Sequence, residues 1–298
     1  MALFETGNKA EKKSDRFESI ITARYNASQL MVRFDDRGQT LPPEVVKLID
    51  AEWQHQTALA EKEGRTLFDG VMLRLDSFHR LDSSRKGSGL QVSLSRSRYK
   101  YFVGTNLTSR KQKELISPDH YANPLGLSAL IVCADSKLLL GLRGKGTFLY
   151  SGYWHTFGGM ADMQDVGVDG NVSLFNVIAR ELNEELGVAD EEIEKIRCIG
   201  MVRDLAILQP EIIFEVQVSL TSNEIVQRMG SRFSQPNDEH DGIIAIEKKA
   251  DAVNHFVASH PSQITAVALA TLAHYFHLQG ERVPAMLIAS ARKEQNRT

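Results

Sequence analysis

A chain of 298 residues with 42% hydrophobic content can build a substantial core, as one large domain or two modest ones. Its 35 basic and 38 acidic residues leave a net charge of −3, which excludes a global field for gripping nucleic acid or an anionic membrane. Any anionic substrate must be held by local charge.

The opening MALFETGNKAEKKSD breaks every apolar run with charge, so no secretory leader is expected. The longest apolar stretch, Leu127 to Ala134, is too short to span a bilayer. Cys133 and Cys198 lie in strand-like apolar contexts without His or Cys at metal-ligand spacing, and read as core residues. The expectation is a soluble, cytoplasmic protein with no nucleic-acid or membrane partner.

In chain order, the start reads as charged and frayed. Pro42-Pro43 opens a helix through EVVKLIDAEWQHQTALAEKEG that stops at Gly64 and shows Val45, Val46, Ile49 and Trp53 on one face. TLFDGVMLRLDSFHRLD and LQVSLSRSRYKYFVGTN alternate apolar and polar residues about the turn-rich SSRKGSG, which predicts an antiparallel strand pair. Within YFVGTN, Gly104 and Asn106 predict a tight turn. The texture changes at Asn123, so a boundary is expected near residue 124, dividing an N-terminal α+β extension (1–124) from a main domain (125–298).

The main domain opens with NPLGLSALIVCADSKLLLGLRG, two predicted strands joined at Asp135 to Lys137. A Gly-rich loop leads to WHTFGG, and a second loop, roughly residues 160 to 172, precedes the helix SLFNVIARELNEELGV. IRCIGMVRDLAIL and EIIFEVQVSL predict strands, and Thr221 with Glu224 forms a capping box for a short helix. GIIAIE is a further strand, and HPSQITAVALATLAHYFHL a buried terminal helix stopped by Gly280.

At about 100° per residue, Glu181, Glu184 and Glu185 share one side of their helix, beside the apolar stripe of Phe175, Ile178, Leu182 and Leu186. Taken alone, three such glutamates read as a solvated acidic face. Their mutual repulsion would become binding energy for a hard divalent cation with oxygen ligands. Arg180 lies four residues before Glu184, close enough to orient it, and Gly187 stops the helix directly after the acidic turn.

RELNEELGV, residues 180 to 188, matches every specified position of the signature helix R-E-U-x-E-E-x-G-U, with U aliphatic, and so resembles the Nudix hydrolases. The strand LLLGLRG and WHTFGG resemble that family's approach to its box. The resemblance implies an α/β (α+β) Nudix fold, a mixed β-sheet packed between helices as an α/β/α sandwich. It also implies Mg²⁺ or Mn²⁺ held by Glu181, Glu184 and Glu185 with a carbonyl from Gly158, while Arg180 steadies a glutamate. The general base is expected among Glu185, Glu211 and Glu239; the last sits in the loop PNDEHDG, where His240 reads as a solvated turn residue. Arg143 is the candidate diphosphate contact, since guanidinium suits phosphate oxygens. Phe148, Tyr150 and Tyr153 precede Trp154 as candidates for base stacking or for loop packing, which completes the expected substrate-binding set of Arg143, Tyr150, Tyr153 and Trp154.

Two departures stand out. Val172 occupies the position of the family's leading glutamate and can neither ligate nor cap. Twelve residues, 160 to 171, separate it from Gly159, seven more than the family pattern has, and Asp162, Asp165, Asp169 and Asn171 are the candidates to replace the missing contact.

RTLFDGVMLRLDSF, RSRYKYFVGTN, HYANPLGLSAL, SLTSNEIV and HPSQITAVALATL are similar to the branch of that family acting on UDP-glucose and UDP-galactose. The implied reaction is Mg²⁺-dependent hydrolysis of a nucleoside diphosphate sugar to UMP and a sugar 1-phosphate. The alternatives are another nucleoside diphosphate derivative such as ADP-ribose, or a catalytically weak nucleotide-sugar sensor, which Val172 keeps open. The intact glutamates and Arg180 favour catalysis.

Overall fold

The computed structural model describes residues 16–64, 66–81, 88–230 and 239–290. Residues 1–15, expected to be frayed, most of the SSRKGSG turn and the first part of the PNDEHDG loop lie outside these. Strands β1 (Phe17–Tyr25) and β2 (Leu30–Gly38) precede helix α1 (Pro43–Lys62). The pair β3 (Val71–Leu81) and β4 (Gly89–Arg98) follows, antiparallel as expected. Next come α2 (Tyr99–Thr105), the single turn α3 (Arg110–Lys113), β5 (Gly126–Val132), β6 (Lys137–Arg143) and the two-residue β7 (Trp154–His155). The remainder is α4 (Leu174–Leu186), β8 (Ile193–Asp204), β9 (Gln209–Val218), α5 (Ser222–Gly230), β10 (His240–Glu247), α6 (Ala250–Ser259), α7 (Ala266–Leu278) and α8 (Ala285–Ile288).

Two sheets organise these elements. The larger runs β1-β8-β9-β5-β6-β10 with β7 against β6, and is mixed because β5 and β9 are parallel. The smaller runs β2-β4-β3. One core cluster joins α4, through Val177, Ile178, Leu182 and Leu186, to the large sheet and to Val32, Leu73, Leu90 and Val92 of the small one. The other fills the opposite face of the large sheet beneath α6, α7 and α8. The result is an α+β fold with a mixed sheet between helical layers. Cys133 and Cys198 are buried free thiols, as expected of core residues, and burial pushes each up to about 12.

Three elements differ from the sequence reading. Phe17–Tyr25, read as frayed, is the edge strand of the large sheet, so a segment ahead of residue 124 belongs to the same sheet as the residues after it. Two register shifts against β8 explain why its side chains lack clean alternation. YKYFVGT, read as the end of a strand and a turn, is helical. Asp69 begins that helix, accepting from the Lys100 amide at 2.9 Å, and Gly104 lets it lie against α1. The segment ADAVNHFVAS forms α6, which no expectation covered.

A Cβ on Gly104 would stand 2.7 Å from the Cα of Ile49, inside any normal contact. Gly104→Ala should therefore lose about 1–3 kcal/mol in urea unfolding despite the better helix propensity of alanine. A more stable variant would show that α1 and α2 are not in tight contact.

Candidate active site

Helix α4 is capped by Ser173, whose side chain accepts from the Asn176 amide, and ends in Gly187, left-handed at φ 65°. Ile178, Leu182 and Leu186 fix the helix on the sheet, so that its acidic side faces the Gly158-Gly159 turn. Gly158 is required there, and Gly159 leaves room for Glu181. Gly158, at φ 136°, lies where a Cβ would meet the Leu127 carbonyl at 2.4 Å, and a Cβ on Gly159 would stand 3.0 Å from the Glu181 carboxylate. The Phe157 and Gly159 carbonyls accept from Ala129 and Leu127, so the Gly158 carbonyl is the one this pairing does not use.

The three glutamates separate into different environments. Glu185 is buried and accepts from the Gly158 amide at 2.9 Å, with His240 Nε2 3.4 Å away. Burial, then the hydrogen-bonded Glu239 carboxyl, holds the Glu185 proton well past the usual carboxylate range. Glu181 is largely covered and pairs with Arg180 at 3.0 Å; burial pushes it up to about 7, against the pull of Arg180. Glu184 has a side chain 58% exposed and pairs with Arg180 at 3.1 Å. Hence the glutamates do not converge as the helical wheel suggested, and among the described residues no three His, Cys, Asp or Glu side chains stand close enough to hold an ion.

The donor set nevertheless fits a divalent cation. Glu181 and Glu185 are carboxylates whose ionisation burial disfavours, set against a turn where Gly158 has no room for a side chain. A hard cation between them would offset that desolvation with oxygen ligation.

The other expected residues are divided by the sheet. Alternation along β9 sends Ile212, Phe214 and Val216 towards α4, which turns Glu211 to the other face. There it accepts from Ser128 Oγ at 2.8 Å, and burial pushes it up to about 7. Arg143 donates from Nε to the Leu149 carbonyl at 3.0 Å and lies close enough to favour the ionised forms of both Glu185 and Glu211. Tyr150 is engaged by Asp204 through a 2.6 Å hydrogen bond, and its ring tilts against Tyr153 at 5.5 Å. Phe148 meets Tyr99 of α2 edge to face. Trp154 stands edge-on to Phe256 and His260 in the core opposite α4, so it packs rather than meets the glutamates.

Sequence reasoning missed His240. Expected as a solvated turn residue, it is buried beside Glu185 with its ring edge-on to Phe157. Its position as the first residue of β10, antiparallel to Arg143 of β6, brings it in, and nothing local marks that pairing.

No family model matches the chain. A relative, Nudix hydrolase 9 of Arabidopsis thaliana, is 25% identical over 251 residues, covering 74% of this chain and 79% of that protein. Among solved structures, the Nudix hydrolase RenU from M. smegmatis is similar over 52% of this chain and 84% of its own, at 13% identity and a TM-score of 0.33. A Nudix hydrolase from Nitrosomonas europaea covers 58% of this chain and 98% of its own, at 15% identity and a TM-score of 0.32. In its α+β fold, in the box helix against its Gly-Gly turn and in its match to the Arabidopsis relative, the chain is similar to Nudix hydrolases.

The Glu211 carboxyl gives a pH dependence. Raised from its ordinary 4.5 to about 7, it is protonated in folded and unfolded chains alike below 4.5. Between 4.5 and 7 only the unfolded chain gives up the proton, so stability falls across that window by about 3 kcal/mol and stays low above it. Urea midpoints of metal-free protein at pH 5 and pH 8 should therefore differ less in Glu211→Gln than in the unmodified chain. An equal gap would overturn the buried environment of this side chain.

Proposed function

We propose that this chain is a Nudix pyrophosphohydrolase and that it cleaves the diphosphate of a nucleoside diphosphate sugar, UDP-glucose or UDP-galactose, to UMP and a sugar 1-phosphate. The observation that carries the hydrolytic site is the pair of largely covered glutamates, Glu181 and Glu185, whose side chains are 13% and 5% exposed, against Gly158-Gly159. Glu181 and Glu185 with the Gly158 carbonyl are the proposed holders of Mg²⁺ or Mn²⁺, joined by Glu184 when its exposed side chain turns from Arg180 towards them, and the ion would supply charge neutralisation at the diphosphate and acidify water.

The chain's own residues account for the rest. Arg143 is assigned to the diphosphate oxygens, and Glu185, with Glu239 beside it, to taking the proton of the attacking water. Glu211, across the sheet from Ile212, is the weaker choice of base. One bridging P–O bond is broken, the water oxygen is added to phosphorus, and the two products leave as monoesters. The sugar-nucleotide reading rests on similarity in the N-terminal segments, and their position supports it. Tyr99 and Phe102 of α2 pack with Phe148, Leu149 and Tyr150, so the segment resembling UDP-sugar enzymes borders the loop beyond Arg143. A cytoplasmic setting accords with the two buried free thiols.

Incubation with Mg²⁺ and UDP-glucose, UDP-galactose or ADP-ribose, followed by ³¹P NMR, should show UMP and sugar 1-phosphate from the UDP-sugars. Glu185→Gln should keep the fold and lower turnover about a hundredfold. Full turnover in that variant removes Glu185 from the site, preferred cleavage of ADP-ribose overturns the sugar assignment, and no turnover on any of them would favour a binding module.

A further inference from the structure

The loop before the box is longer than the family pattern, and its structure shows what the extra residues do. Residues 163 to 165 form one 3₁₀ turn with reciprocal capping: the Asp162 side chain accepts from Gln164 and the Asp162 amide donates to Asp165. Met163 and Val166 pack into the core shared by α4 and the small sheet. The loop then closes on itself through Val166 and Val172 and zips onto β2, with the Phe34 amide donating to the Gly170 carbonyl at 2.8 Å and the Val172 amide to the Val32 carbonyl at 3.1 Å. Val172 is thus a core residue, 5% exposed.

This strap delivers one charge. Both Asp165 oxygens lie 3.3 to 3.5 Å from Arg180 Nη2, the same nitrogen that reaches Glu181 at 3.0 Å, while Nη1 reaches Glu184 at 3.1 Å. The Asp165 side chain is 11% exposed, so its attraction for Arg180 is only weakly screened. Asp162 and Asp169 bond within the loop, and Asn171 pairs with Asp169 and Arg33.

We propose that Asp165 is the positioning residue for Arg180, and that the inserted strap, docked on β2, exists to hold it there. A guanidinium among Glu181 and Glu184 competes with any cation for the same oxygens. Asp165 draws it to one side, so the glutamates are steadied without being neutralised. Loss of that anchor lets Arg180 turn its donors fully onto the glutamates.

The inference rests on the metal reading proposed above, and its test separates the two. Asp165→Asn keeps an acceptor for the Asp162 amide while removing the charge, and Asp169→Asn changes the same loop away from Arg180. Mn²⁺ binding is followed by isothermal titration calorimetry without substrate, with thermal melting of each variant. Asp165→Asn should bind Mn²⁺ about tenfold more weakly at an unchanged melting temperature, and Asp169→Asn should bind as the unmodified chain does. Affinity within twofold in Asp165→Asn overturns the proposal, as does equal weakening in both variants or weakening accompanied by a lower melting temperature. No Mn²⁺ binding by the unmodified chain would bring down the metal reading itself, and this inference with it.

Discussion

Carboxylates resist burial, and this molecule covers nearly all of one, Glu185, and most of a second, Glu181, one turn apart on one helix. That is possible only where the facing backbone has nothing to put in the way. Gly158 and Gly159 form such a surface, offering an amide to Glu185 and bare space to Glu181. The apolar side of α4 provides the opposing force, since Ile178, Leu182 and Leu186 are wholly buried against the sheet and fix the helix at that height. The acidic groups are thus held in place by hydrophobic packing, and their proton affinity is a consequence of that packing.

The polar neighbours are arranged by residue separation that local pattern cannot report. Helix α4 and its glycine stop were legible because 3.6-residue periodicity, an N-cap and a left-handed C-cap all lie within one short segment. The same holds for Thr221 and Glu224, whose reciprocal bonds begin α5 as expected. Helix α2 was not legible, because its first amides are satisfied by Gly70 and by Asp69, the latter 31 positions before its partner Lys100, and its fit to α1 depends on Gly104. A β-like composition gave way there to tertiary contacts.

The site shows the same division. The residue types at 180 to 188 announced carboxylate chemistry, but a helical wheel treats every side chain on one side as equivalent. Contact with Gly158 and His240 covers Glu185 most of the three, while Glu184, paired with Arg180, stays exposed. The four polar candidates in the inserted loop looked alike in sequence; only the capped turn and its docking on β2 single out Asp165. Trp154 and Tyr150 had aromatic character suited to a ligand, and the fold spends it on packing and on Asp204.

Strand β1 carries a consequence for how the molecule comes into being. Phe17 pairs with Asp204, so 187 positions (204 − 17) separate the two partners at this edge of the large sheet. During synthesis the first strand has no partner until β8 has left the ribosome, and closing so long a loop costs entropy before any ladder bond repays it. Assembly of this sheet is accordingly a late and slow event, in which an early strand waits, unpaired, for the last third of the chain.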